Sequence, residues 1–163
     1  MHDKILSLSN TMKINTGLFS NCLEGIDDES ASRRPNDHTN SMVFIATHLV
    51  EARHFLASQL SIAAATPFDG MLSGAQAIDD ITDYPTLDAI RAAWDEITDK
   101  LASRFETLTD EELAEMSKQS FPGDDRTILG AMAFLIQHEA YHIGQMAFIR
   151  KFFERGAMHY DIS

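Results

Sequence analysis

Cysteine is almost missing from this chain. Cys22 stands alone, so no intrachain disulfide can staple the fold, and this usage fits a reducing cytoplasm. Basic residues are also scarce. Thirteen Lys and Arg face 25 Asp and Glu, giving a net charge of -12, and no basic cluster exceeds a pair such as Arg33-Arg34. A protein that grips phosphates needs a basic face, so nucleic acid and anionic membrane surfaces are not expected partners. No apolar run approaches the roughly 20 residues of a spanning helix. The N-terminal MHDKILSLSNTMK lacks a continuous apolar core and does not read as a signal peptide. Strand patterns are nearly absent, and there is no internal repeat or low-complexity tract. What remains is a chain of 163 residues, 44% hydrophobic, which fits one globular domain over 1–163.

Helical periodicity fills that domain. Four long helices are expected, over about 3–25, 40–64, 86–108 and 127–155. The first carries Ile5, Leu8, Met12, Phe19 and Cys22 at helical spacing, and the third carries Leu87, Ile90, Trp94, Ile97, Leu101 and Phe105. DDESASRRPNDHTN reads as loop. Pro85 suits the first turn of the third helix, with Thr86 or Asp83 as its cap. TDEELAEM suggests a short helix opened by a Thr109–Glu112 capping box, and Gly156 is the expected stop of the last helix. The fold class is therefore all-α, a four-helix bundle with a long connection between helices two and three. That connection, about 65–85, is long enough to cross the bundle and return helix three parallel to helix two.

Seven histidines are present, and their positions on the helices matter more than their number. His138 and His142 lie four residues apart on the last helix, on one flank of its apolar stripe, with Gln145 beside them. Four-residue spacing sends both rings to one side, as two ligands of one ion require. On helix two the apolar face is Met42, Ile45, Leu49, Ala52 and Leu56, with His48 at its edge. The polar face is Thr47, Glu51, His54 and Ser58, so His54 is expected to point to water. If helices two and four pack together, His48 meets the pair. A single histidine beside an apolar face is usually a satisfied core residue; three inward rings need partners that apolar helices do not supply, and a shared ion meets that need.

HEAYH matches the H-E-x-x-H pattern of zinc proteases. Their extended form needs Gly at 145 and His at 148, where this chain has Gln145 and Phe148, and no strands are expected to hold a peptide. Protease chemistry is set aside. The combination of NSMVFIATHLVEARHFL, the closing HEAYHIGQM and the lead-in LEGIDDESASRRP instead resembles the DinB/YfiT-like family of metalloenzymes, over about 5–155. That resemblance implies a four-helix bundle with a three-histidine metal site, matching His48, His138 and His142. It also implies thiol-dependent transferase or isomerase chemistry with bacillithiol, mycothiol or glutathione in some relatives.

Three imidazoles leave open positions on a divalent ion, zinc or nickel first, with iron, cobalt or manganese as alternatives. The favoured function is a metal-dependent enzyme acting on a small-molecule substrate with a low-molecular-weight thiol. The alternatives are a metal-dependent hydrolase and a non-catalytic metal-binding or stress-response interaction module. Gln145 is expected either to orient a ligand at the open position or to support the site by packing. Glu139, near the middle of the stripe, needs a partner if buried, and a ligand histidine is one. Arg53, Arg126 and Arg150 are scattered candidates for a thiol's carboxylates. Phe134, Phe148 and Phe152 give the last helix a second apolar face, suited to a homodimer or to burial under the loops at 66–84 and 118–126.

Overall fold

Side-chain caps set where most of the helices begin. A computed structural model describes residues 3–68, 71–72, 81 and 83–160, and every helix named here lies within them. Helix α1 runs Asp3–Cys22, α2 Asp28–Ser32, α3 Met42–Gln59, α4 Leu87–Thr107, α5 Asp110–Ala114 and α6 Ile128–Phe152. Ser41, Thr86, Thr109 and Thr127 each accept a backbone N–H three residues on, supplying a partner that the first turn of a helix lacks. At Thr109 the Glu112 carboxylate reaches back to the cap nitrogen at 2.9 Å and completes the expected capping box.

Several boundaries differ from the sequence expectation. The DDESASRRPNDHTN stretch is not all loop: Asp27 caps the short helix α2, and Gly25, at φ +66°, makes the turn that leads into it. Helix α3 ends at Gln59, because Ser61 adopts the left-handed conformation at φ 59°, so the connection to α4 starts earlier than expected. Residues 69–70, 73–80 and 82 of that connection lie outside the described residues. Pro85 precedes the Thr86 cap and is not in the first turn. Helix α6 gives way to a turn at Phe153, before Gly156.

The protein is all-helical; among the described residues a single isolated bridge, Met116 with Thr127, is the only β pairing. The four long helices pack in the cyclic order α1, α6, α3, α4. Two apolar clusters fix their directions. One joins the end of α1 (Phe19, Cys22) to the starts of α3 (Met42, Ile45) and α4 (Ile90, Trp94) and the end of α6 (Met146, Ile149). The other joins the start of α1 (Ile5, Met12), the ends of α3 (Leu56, Ala57) and α4 (Leu101, Phe105) and the start of α6 (Ile128, Met132). Helices α1 and α6 thus run together, and α3 runs parallel to α4 and antiparallel to α6. No described helix is long and apolar enough to cross a membrane.

Helix α3 is covered on several sides, by α6, α4 and α2. Its supposed polar face is consequently a water face only in part: Ser58 is exposed and Glu51 half-buried, but Thr47 and His54 are not. Thr47 is fully buried and donates to the Val43 carbonyl at 2.8 Å, and His54 is only 8% exposed. Burial pushes the His54 pKa down, partly offset by a bond to the Ala64 backbone.

Arg53 is not available to a ligand either: it lies at 0% exposure between the two apolar clusters. Its Nε donates to Glu139 Oε1 at 2.7 Å and its Nη2 to Glu139 Oε2 at 3.1 Å, a bidentate pair. Thr16 of α1 accepts from Nη2 and Thr98 of α4 from Nη1, and the guanidinium lies 3.4 Å from the Trp94 ring centre. Asn15 of α1 donates to both Glu139 Oε2 (3.3 Å) and the Ile136 carbonyl (3.0 Å). One charge pair therefore ties all four long helices together.

Candidate metal centre

Antiparallel packing of α3 against α6 brings His48 opposite the His138–His142 turn. Ring centres of His48 lie 5.2 Å from His138 and 4.8 Å from His142, and those of His138 and His142 lie 4.4 Å apart. One nitrogen from each ring falls within 4.8 Å of the others, and all three residues are half-buried. The Nε2 atoms of His138 and His142 approach to 3.0 Å. Two nitrogens bound to one tetrahedral zinc ion sit ~3.3 Å apart, given ~2.05 Å bonds, so this pair already has close to ligand spacing.

The electrostatics favour ligand lone pairs over ring charges. Burial, then repulsion from His142 and His138, pushes the His48 pKa down to about 4. Burial is also the leading cause of the downward shifts at His138 and His142. Three neutral rings at pH 7 are three donors for a divalent cation. Among the described residues, His138 Nδ1 is buried with no hydrogen-bond partner, and its Nε2 meets only the nitrogen of another imidazole. The donor set therefore fits a metal ion.

Gln145 serves His142 directly. Its Oε1 lies 2.7 Å from His142 Nδ1, and its amide nitrogen donates to the Tyr141 hydroxyl at 3.1 Å. With Nδ1 donating to Gln145, the Nε2 lone pair of His142 is left facing His138. Glu139 does not orient a histidine: its carboxylate turns away into the core and is consumed by Arg53 and Asn15. Phe134 stacks beside His138 and is itself covered by Phe121 of the 117–126 loop, whereas Phe148 and Phe152 remain exposed.

A cavity of about 540 Å³ borders the cluster. The histidines do not line it; Gln145 and Tyr141, the residues that hold His142, form one wall, and Ile45, Phe148 and Ile149 supply its apolar surface. Across from them stand His38, Thr39 and Asn40, from the loop before α3. Among the described residues, no Asp, Glu, Lys or Arg lines it. Nothing in the polar NDHTN stretch marks it as a wall of a cavity. Arg126, another expected anion candidate, bonds Ser120 and the Phe121 carbonyl within its own loop, and Arg150 bonds the Cys22 and Glu24 carbonyls.

Fold and site together define an all-helical protein with a three-histidine cluster of metal-ligand geometry, carried by two antiparallel helices. The profile of the DinB superfamily matches residues 13–146, most of the chain, and includes all three histidines. The protein belongs to the DinB superfamily, a metal-associated family. No curated protein matches the chain at a significant level.

Proposed function

We propose that this DinB-superfamily protein is a four-helix-bundle enzyme dependent on a divalent metal, with His48, His138 and His142 as the ligands and zinc or nickel as the ion. The observation that carries the reading is the convergence of three ring nitrogens within 4.8 Å, beside a cavity of about 540 Å³. An ion held by three neutral imidazoles keeps positions open and promotes deprotonation of a thiol or water placed there. Thiol transfer to an electrophile is the first reading, in line with the family resemblance, and hydrolysis the second.

The chain's own residues divide the remaining tasks. Gln145 fixes the tautomer of His142, and Tyr141 holds the Gln145 amide in place. Ile45, Phe148 and Ile149 offer an apolar seat for the body of a small substrate, and Asn40 and Thr39 offer hydrogen bonds at its edge. The described lining carries no carboxylate or strong cation, which favours an uncharged electrophile. A homodimer through α6 is part of the same reading, supported by Phe152, exposed on that helix outside the cavity lining; a monomer by sedimentation at micromolar concentration would remove that part of the proposal.

The test is elemental analysis of untagged protein purified without chelators, followed by a thiol and electrophile screen on the same sample. Near-stoichiometric metal, lost in His48→Ala while the helical circular dichroism persists, is the expected result. Equal metal content in wild type and His48→Ala would remove the ligand assignment. Bound metal without turnover would leave the site as a sensor or interaction module.

A further inference from the structure

Away from the histidines, three of the chain's eight arginines meet in one cleft where α1 and α6 end. Arg33, Arg150 and Arg155 line it with Ser30. For a chain of net charge -12, such a gathering of like charge is unexpected. None of the three lies within 4.0 Å of a carboxylate oxygen among the described residues, although the Asp27 carboxyl, held low chiefly by Ser30, also feels Arg155 from nearby.

The backbone builds this gathering. After α6, Glu154 takes a left-handed conformation at φ 58°, and the Arg155 nitrogen bonds the Arg150 carbonyl at 3.0 Å. That turn folds Arg155 back beside Arg150 and lets its Nη2 donate to Ser30 Oγ at 3.0 Å. Arg33, just past α2, lies with its guanidinium carbon 4.5 Å from the Phe153 ring centre, which props it at the edge of the cleft. Arg150 enters from below. Its Nη1 bonds the carbonyls of Cys22 (3.2 Å) and Glu24 (2.5 Å), but its Nε is buried with no partner. A buried guanidinium N–H ordinarily has an acceptor, and the acceptor is missing among the described protein atoms.

We propose that Arg33, Arg150, Arg155 and Ser30 form an oxyanion site that takes the terminal carboxylate or phosphate of a small ligand. Guanidinium forks match such planar or tetrahedral oxygen sets, and the Ser30 hydroxyl adds a neutral contact. The cleft narrows to room for about one water-sized group, about 10 Å³, so an oxygen of the ligand enters and its body stays outside. Ile149 forms part of this cleft and part of the cavity beside the histidines. The site uses none of the three histidines, and it stands whether or not they hold a metal.

The test is titration of the full chain with inorganic phosphate and, separately, acetate. Side-chain nitrogen NMR of the arginines and calorimetry are the readouts, with potassium chloride at matched ionic strength as control. Saturable binding that moves the Arg150 Nε–H resonance is expected. The exposed pair Arg33→Gln/Arg155→Gln should weaken it at least about tenfold without lowering the melting temperature. The His48→Ala chain should respond as wild type does, which separates this cleft from anion capture at the histidines. Stronger binding of acetate or of phosphate identifies the ligand's end group. A static Arg150 resonance, an equal response to chloride, or unchanged affinity in the double variant would overturn the proposal.

Discussion

Replacing Glu139 by Leu should be among the most damaging single changes available in this protein. The substitution leaves Arg53, at 0% exposure, without the carboxylate that accepts from its Nε and Nη2. Thr16, Thr98 and the Trp94 ring remain, but none is charged to balance it. Asn15 loses one of its two acceptors as well. Breaking one side of a buried ion pair costs about 3–5 kcal/mol, a large share of the roughly 5–15 kcal/mol that holds a domain together. For a chain of this size each kcal/mol moves the melting temperature by ~2–4 °C, so a drop of about 6–20 °C is expected. The double variant Arg53→Met/Glu139→Leu removes both charges and fills similar volume, and should recover most of that loss. The assay is thermal and urea unfolding in EDTA, so that metal binding does not contribute. A Glu139→Leu cost below about 1 kcal/mol, or a double variant as poor as the sum of the two singles, would refute the argument that this pair is a desolvated and mutually dependent unit.

The metal-free protein should lose stability as pH falls from about 6.5 toward 4. The folded pKa of His48 is depressed to about 4, so in that window the unfolded chain binds more protons, and stability is present above it and lost on acidification. Near pH 5 the loss from His48 is about 1–2 kcal/mol after allowing for partial exposure, and His138 and His142 shift in the same direction. Urea midpoints measured in EDTA across this range check it; a midpoint that rises on acidification would contradict it. Cys22 should resist thiol reagents in the native state. Burial raises its pKa to about 11, and Met158 Sδ covers it at 3.5 Å, so rapid stoichiometric labelling at pH 8 without unfolding would contradict that account.

Much of the helix pattern was legible because it is local. The stripe Leu87, Ile90, Trp94, Ile97, Leu101, Phe105 is buried throughout, and the Thr109 capping box forms as its spacing implies. His138 and His142 face one side because four residues make about one turn. Helix α3 misled for the same reason that α4 did not. A wheel assumes one wet face, and neighbours cover much of that face on α3, so Thr47 and His54, placed on the polar side, lie in the interior, while Arg53, a candidate for a ligand's carboxylates, is spent on Glu139.

By itself the sequence determined that the chain is helical, roughly where its four long helices begin, and that a histidine pair lies on one side of the last of them. These follow from turn geometry, side-chain caps and the spacing of apolar residues, each settled within a few positions. Only the tertiary structure decided that Glu139 answers Arg53 and no histidine, that Gln145 holds His142, and that Arg33, Arg150 and Arg155 share a cleft. Each of those contacts joins residues whose nearness depends on how the helices are ordered, directed and turned after their ends. No periodicity within one helix encodes that arrangement.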